Sequence, residues 1–182
     1  MNIYDFDDTI YDGDSSVDFF KYCLKKNKKI LLLIPSIGVS AILYVIKLKD
    51  KEYFKSKFFS FVKYFDDINK IAKDFWKENN KKIKSFYLEN KEDDDIIISA
   101  SPDFLLRPIC DALKVKLISS KFDEKTGVLL GKNCYGEEKV KRLEELGIKS
   151  CDKFYSDSKS DTPLKLIAKE AFLVERNNIK KW

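Results

Sequence analysis

The hydrophobic pattern of this chain changes character twice, and those two changes constrain the fold more than any single motif. Residues 1–11 read as one short strand, Asn2-Ile3-Tyr4, followed by a polar loop. From about Ser15 to Asn90 the apolar residues recur at three and four spacing, as in Val17-Asp18-Phe19-Phe20-Lys21-Tyr22-Cys23-Leu24 and Ile68-Asn69-Lys70-Ile71-Ala72-Lys73-Asp74-Phe75-Trp76, which is the period of helices. From Asp95 onward short apolar runs alternate with helical stretches. The pattern predicts strands at Ile96-Ile97-Ile98, 115–119, Lys153-Phe154-Tyr155 and 171–174, and helices at 104–113, 137–146 and 162–168. Such alternation predicts a parallel sheet covered by helices. Residues 121–132, with Gly127 and Gly131 among Val and Leu, read as a β-hairpin excursion. If the first strand joins the later ones, the expected organisation is an α/β core of residues 1–11 and 91–182, split by a separately folded all-helical cap of residues 12–90. That cap lies over the edge where the first strand ends, where open parallel sheets bind ligands.

At that same edge the chain places Asp5-Phe6-Asp7-Asp8-Thr9. Strands disfavour Asp, and three carboxylates in four residues repel one another. The cluster costs stability unless a cation or a reacting group compensates it.

Composition removes several function classes. With 44% apolar and 14% aromatic residues the chain is globular rather than disordered. Its net charge of +5 comes almost wholly from Lys, and Arg occurs only at 107, 142 and 176, too few for the bidentate contacts of base readout. No nucleic-acid role is expected. There is no His, which excludes Ser-His-Asp and Cys-His nucleophile systems and most zinc sites. Cys23, Cys110, Cys134 and Cys151 are far apart without C-x-x-C spacing, so they read as reduced, packed thiols of a cytoplasmic protein. The Lys-rich runs at 25–29 and 77–84 read as solvated helix faces.

Residues 30–46 are 17 residues without a charge, bounded by Lys28-Lys29 and Lys47-Leu48-Lys49. That is short of the ~20 residues of a bilayer span, and Pro35, Ser36, Gly38 and Ser40 interrupt it. The expectation is a buried or cap helix, kinked or in two pieces, with membrane contact the less favoured alternative.

Three more groups gather at strand ends. Ser99-Ala100-Ser101-Pro102 follows an apolar run and enters a helix, placing a hydroxyl and free amides where anions bind; an ordinary helix cap is the alternative. Tyr155-Ser156-Asp157-Ser158-Lys159-Ser160-Asp161 follows another strand, where two acids can also be a cap and a turn residue. Lys139, in Gly136-Glu137-Glu138-Lys139, begins a helix, an unfavourable place for a cation and otherwise an ordinary surface Lys.

The four groups in this order resemble the motifs of the haloacid dehalogenase-like superfamily: D-x-D-x-T at Asp5 to Thr9, a Ser at Ser99, a Lys at Lys139 and an acid pair at Asp157 and Asp161. The resemblance spans the chain. The helical insert between the first two motifs is similar to the cap of the phosphoserine phosphatase-like branch, on a Rossmann-like three-layer parallel sheet core. It implies a magnesium-dependent phosphomonoesterase acting through an aspartyl-phosphate. Asp5 would be the nucleophile, and Asp7 would protonate the leaving alkoxide and then activate water. Asp5, the Asp7 carbonyl and Asp157 would hold Mg2+. Ser99, the Ala100 amide and Lys139 would bind phosphoryl oxygens, with Asp161 orienting Lys139 or a water at the metal. Thr9 would support the loop or the phosphoryl group.

Asp14 matches the position of an acid that holds a substrate amine in that branch. The cap Arg that the branch uses for a carboxylate is missing, since residues 12–90 contain none, and Ser156 stands where Gly is common. A Lys lacks the planar fork of Arg, so the implied substrate is a small phosphorylated metabolite, phosphoserine-like or other, with room for an apolar or aminoalcohol portion. A monomer or homodimer is expected. A phosphotransferase using the same intermediate shares every motif, and a catalytically silent or membrane-associated protein of the same fold is the other alternative. A receiver-type signalling domain does not fit, because its phosphoacceptor follows a later strand.

Overall fold

A computed structural model describes residues 1–182. Its sheet is assembled around its shortest strand. β1 (Ile3–Tyr4) lies between β2 (Ile96–Pro102) and β4 (Cys151–Ser156), parallel to both. β3 (Lys116–Ser120) flanks β2, and β5 (Ala168–Glu175) flanks β4, again in parallel. With β6 (Asn178–Lys181) the order is β3-β2-β1-β4-β5-β6. Ile3 and Tyr4 are buried because a central strand is covered on both faces.

Between β1 and β2 the chain forms α1 (Ser15–Lys26), α2 (Ile34–Val45), α3 (Lys51–Phe58), α4 (Ile68–Asn79) and α5 (Ser85–Asn90), and no strand. Three of these start at an Asp whose carboxylate accepts a free amide of the first turn. Asp14 caps Val17 at 3.0 Å, Asp50 caps Tyr53 at 2.7 Å and Asp67 caps Lys70 at 3.0 Å. After β2 come α6 (Asp103–Leu113), α7 (Glu137–Glu145) and α8 (Thr162–Lys165).

The packing of the helical segment is continuous with that of the α/β core. One cluster of 26 buried residues joins Phe19, Phe61 and Phe75 to Tyr4, Ile97 and Leu106 of the α/β side. The Trp76 indole N–H reaches across to the Leu105 carbonyl at 2.6 Å.

The expected parallel sheet is present and gains one antiparallel edge strand: Arg176, at φ +57°, reverses the chain and lays β6 on β5. The helix expected over 162–168 ends at Lys165, because Ala168 already pairs with Cys151. The hairpin expected at 121–132 is present but short: Phe122 and Leu129 form an antiparallel bridge, the Asp123 amide donates to the Val128 carbonyl and the Leu130 amide to the Lys121 carbonyl, both at 2.8 Å. Lys84 is not on a solvated face; it is buried, and its ammonium donates to the carbonyls of Asp8 at 2.6 Å and Arg176 at 2.7 Å. The four cysteines are buried and unpaired.

The segment 30–46 breaks in two, with a 3₁₀ turn (Lys28–Leu33) followed by α2, which begins at Ile34-Pro35. It is not buried. Leu32 is 75% exposed and Val45 74%.

Candidate active site

The loop after β1 is shaped by its own backbone. The amides of Ile10 and Tyr11 both donate to the Phe6 carbonyl, at 3.0 and 2.9 Å, and Asp8 takes φ +54° with its amide on the Gly13 carbonyl at 2.9 Å. Asp tolerates the left-handed region better than most residues, and Lys84 holds the Asp8 carbonyl from below. This turn directs Asp5 and Asp7 into one cavity of about 380 Å³, which Ser99, Lys139, Asp157 and Asp161 also line.

β2 supplies the second wall through an irregularity. Ser99 pairs with Ser119, but the next pair is Pro102 with Ser120, so Ala100 and Ser101 bulge from the ladder and face the cavity. The Ser99 hydroxyl accepts the Ser101 amide at 3.0 Å. The Ser101 hydroxyl donates to Asp7 Oδ2 at 2.6 Å, and the Ser15 amide donates to Asp7 Oδ1 at 2.7 Å, so both oxygens of Asp7 are held.

Lys139 enters from the first turn of α7, which Gly136 opens at φ +57°. The residue is 2% exposed, and its ammonium donates to Asp5 Oδ1 and Asp161 Oδ2, both at 2.8 Å. Burial alone would lower its pKa, but Asp5 and Asp161 win and raise it, so Lys139 is a fixed cation. Asp161 Oδ2 also accepts the Ser156 hydroxyl at 2.8 Å, whereas Asp161 Oδ1 is buried without a partner.

Thr9 supports the loop, as one of its two expected roles requires. It is fully buried, its hydroxyl accepts the Asp157 amide at 2.9 Å and lies 3.4 Å from Asp157 Oδ1, and it does not line the cavity. It braces the Asp157 loop. Asp14 does line the cavity while capping α1.

The pattern placed Ser101 at the strand end without a role of its own, and gave no notice of Ser15 or Lys55. Lys55, on α3, points into the cavity, donating to the Ala100 carbonyl and to Asn133 Oδ1, the latter at 2.9 Å. Burial, aided by Lys51, lowers its pKa to about 8. The Ser-x-Ser spacing at 99 and 101 was the only available signal for Ser101, and nothing in a Lys-rich helix distinguishes Lys55.

The acids that line the cavity, Asp5, Asp7, Asp8, Asp14, Asp157 and Asp161, outnumber its cations, Lys51, Lys55 and Lys139. Burial, reinforced by Asp14, raises the Asp7 pKa to about 6 despite its hydrogen bonds. Burial and then Asp5 and Asp8 raise Asp157 to about 7, and burial outweighs Lys139 to raise Asp5 as well. Three oxygen donors with one orphaned carboxylate oxygen nearby fit a small hard cation such as magnesium. A second acidic group, Glu92, Asp94 and Asp95, precedes β2 and so lies at the opposite end of the sheet; the Met1 ammonium, 3.0 Å from Asp94, and the Asn2 and Glu92 amides on Asp95 already satisfy it.

This excess of negative charge has a measurable consequence without metal. Asp157 binds its proton up to about pH 7 when folded but only to about 3.8 when free, so between those values the folded chain holds protons that the unfolded chain has released. Stability therefore falls as pH rises through that window. In metal-free buffer the wild-type Tm should fall more steeply from about pH 5 to 7 than that of Asp157→Asn, and magnesium should raise the wild-type Tm more at the higher pH. Equal slopes in the two proteins would show that Asp157 is not held against other acids.

A family model, haloacid dehalogenase-like hydrolase, matches residues 3–164. No curated protein matches. Among solved structures, a protein of unknown function from Bordetella pertussis Tohama I aligns with a TM-score of 0.72 at 17% identity, over 94% of this chain and 87% of its own. A phosphoserine phosphohydrolase-like protein from Francisella tularensis subsp. tularensis SCHU S4 aligns at 0.61 and 15%, over 97% and 89%. An HAD family hydrolase from Salmonella enterica subsp. enterica serovar Typhi aligns at 0.61 and 12%, over 92% of this chain and 59% of its own. At these identities the likeness is one of fold, and the family match supplies the membership: the chain belongs to the haloacid dehalogenase-like hydrolases.

Proposed function

We propose that the protein is a magnesium-dependent phosphomonoesterase that works through an aspartyl-phosphate on Asp5. The observation that carries this reading is the ammonium of Lys139, 2.8 Å from both Asp5 and Asp161 in a cavity shared with Asp7 and Asp157. Such a cation orients the nucleophile and balances the phosphoryl charge at once.

The carboxylate oxygen of Asp5 attacks phosphorus while the ester P–O bond breaks, and neutral Asp7 gives its proton to the departing alkoxide. A water oxygen then attacks phosphorus, Asp7 takes the water proton, and the bond between phosphorus and Asp5 breaks to release orthophosphate. An Asp7 pKa of about 6 suits both directions of transfer near neutrality, and the bonds from Ser101 and Ser15 keep the carboxyl aimed. Ser99 and the Ala100 amide hold the phosphoryl oxygens. Asp5, Asp157 and the Asp7 carbonyl would hold magnesium, which supplies charge neutralisation to the acids and the phosphoryl group.

The helices of residues 12–90 serve as the cap. Phe54, Phe58 and Val17 give the cavity an apolar wall, and Lys51 and Lys55 are the cap cations where Arg is missing. This lining suits a small phosphorylated metabolite with a partly apolar portion. With p-nitrophenyl phosphate and magnesium the protein should release phosphate, and a chelator should stop it; no release across a panel of phosphomonoesters would overturn the reading.

A further inference from the structure

Helix α2 is apolar almost all round, yet little of it is covered by the rest of the protein. Its one fully buried side chain is Ser40, whose hydroxyl donates to the Ile37 carbonyl at 2.7 Å. Ile42 is 61% exposed on the other side, and Val39, Val45 and Ile46 are exposed with it. An ordinary surface helix puts apolar residues inward and polar ones outward. The exposed face continues into Leu31 and Leu32 before the helix and Leu48 after it, a contiguous apolar patch of a kind that marks a docking surface.

Charge around the patch selects the occupant. From Phe19 to Lys49 there is no Asp or Glu, while Lys stands at 21, 25, 26, 28, 29, 47 and 49. A second copy meeting this face would bring an equally basic rim against it. An anionic surface complements it. The helical run Lys28–Val45 has 18 residues and is long and apolar enough by composition to cross a membrane, but Lys28-Lys29 occupy its first turn and Ser40 is buried against the protein on one side, which favours lying flat over spanning.

We infer that the outward face of α2, with its Lys rim, docks flat on the anionic surface of a lipid bilayer. The exposed Ile, Val and Leu side chains enter the boundary between headgroups and acyl chains, and the Lys side chains lie among the lipid phosphates. The docked face is one side chain from the catalytic cavity. Tyr44 of α2 stacks on Phe54 with ring centroids 5.9 Å apart and planes 14° apart, and Phe54 lines the cavity.

Binding of the full chain to vesicles of phosphatidylcholine with and without phosphatidylglycerol tests this independently of the catalytic reading. Wild-type protein should sediment with the phosphatidylglycerol vesicles at low salt, far less with phosphatidylcholine alone, and less again at high salt. Ile42→Glu with Val45→Glu should weaken binding roughly tenfold or more, with an unchanged Tm because both side chains are exposed. Replacing Lys28, Lys29, Lys47 and Lys49 by Ala should abolish the preference for anionic lipid. Protein that stays in the supernatant with anionic vesicles, or binding that the two Glu substitutions leave intact, would overturn the proposal. So would a dimer that these substitutions dissociate in the absence of vesicle binding, or vesicle-bound protein that only detergent extracts, which would mean a span.

Discussion

Replacing Asp5 with Asn should lower phosphate release by roughly 10⁴-fold or more. The substitution keeps the shape of the side chain and an oxygen that can accept from Lys139, so the loop and the cation stay in place. What it removes is the nucleophilic oxygen pair, because an amide oxygen does not displace an alkoxide from phosphorus at a useful rate. The measurement is steady-state phosphate release, paired with acid quenching on a phosphorus-labelled substrate. Wild-type protein should retain label through denaturation, and Asp5→Asn should retain none. A folded Asp5→Asn protein with near wild-type turnover would remove Asp5 from the role of nucleophile, whatever else the cavity does.

Replacing Lys139 with Met should cost both activity and stability. Two carboxylates lose their shared ammonium at once, and Asp161 is 1% exposed, so water cannot replace it. Removing one partner of a buried ion pair costs about 3–5 kcal/mol, a large part of the ~5–15 kcal/mol of a whole domain. For a chain of this size that corresponds to a fall in Tm of roughly 10 °C. The sign of the pH effect follows from which groups are left. Without Lys139 the remaining carboxylates must take up a proton to stay buried, so they bind protons more tightly than in the unfolded chain, and the loss should be smallest in acid and grow toward neutrality. Lys139→Arg keeps the charge and should recover part of the stability, but its planar fork cannot occupy the same point, so turnover should stay low. A Met variant that melts within about 2 °C of wild type at pH 7 would show that the cluster is not the buried, balanced charge described above.

The residues proposed for the chemistry were legible because each is expensive where it stands. Carboxylates at the end of an apolar strand, a Lys in the first turn of a helix and a hydroxyl after Ile96-Ile97-Ile98 all oppose local preference, and local preference can be read from the chain alone. Asp5, Asp7, Ser99, Lys139, Asp157 and Asp161 do line one cavity. Residues that agree with their local context gave no such signal. Lys55 lies in a Lys-rich helix that would be solvated by default, and Lys84 stands in a run that reads as a polar face, yet both ammonium groups are turned inward onto backbone carbonyls. Ser101 acquires its bond to Asp7 only because the ladder between β2 and β3 slips, and a slip in register is a property of two strands.

Periodicity along the chain was enough for the α/β class, for the helical stretch between the first two strands and for which residues stand at strand ends, because side-chain spacing depends on neighbours in sequence. Packing settled what depends on neighbours in space. It made β1 the middle of the sheet, fused the helical stretch and the sheet into one aromatic core, turned Thr9 toward Asp157 and set the apolar face of α2 outward. The last of these is the clearest case: the same 17 uncharged residues fit a buried helix or an exposed one, and only the partner surface decides between them.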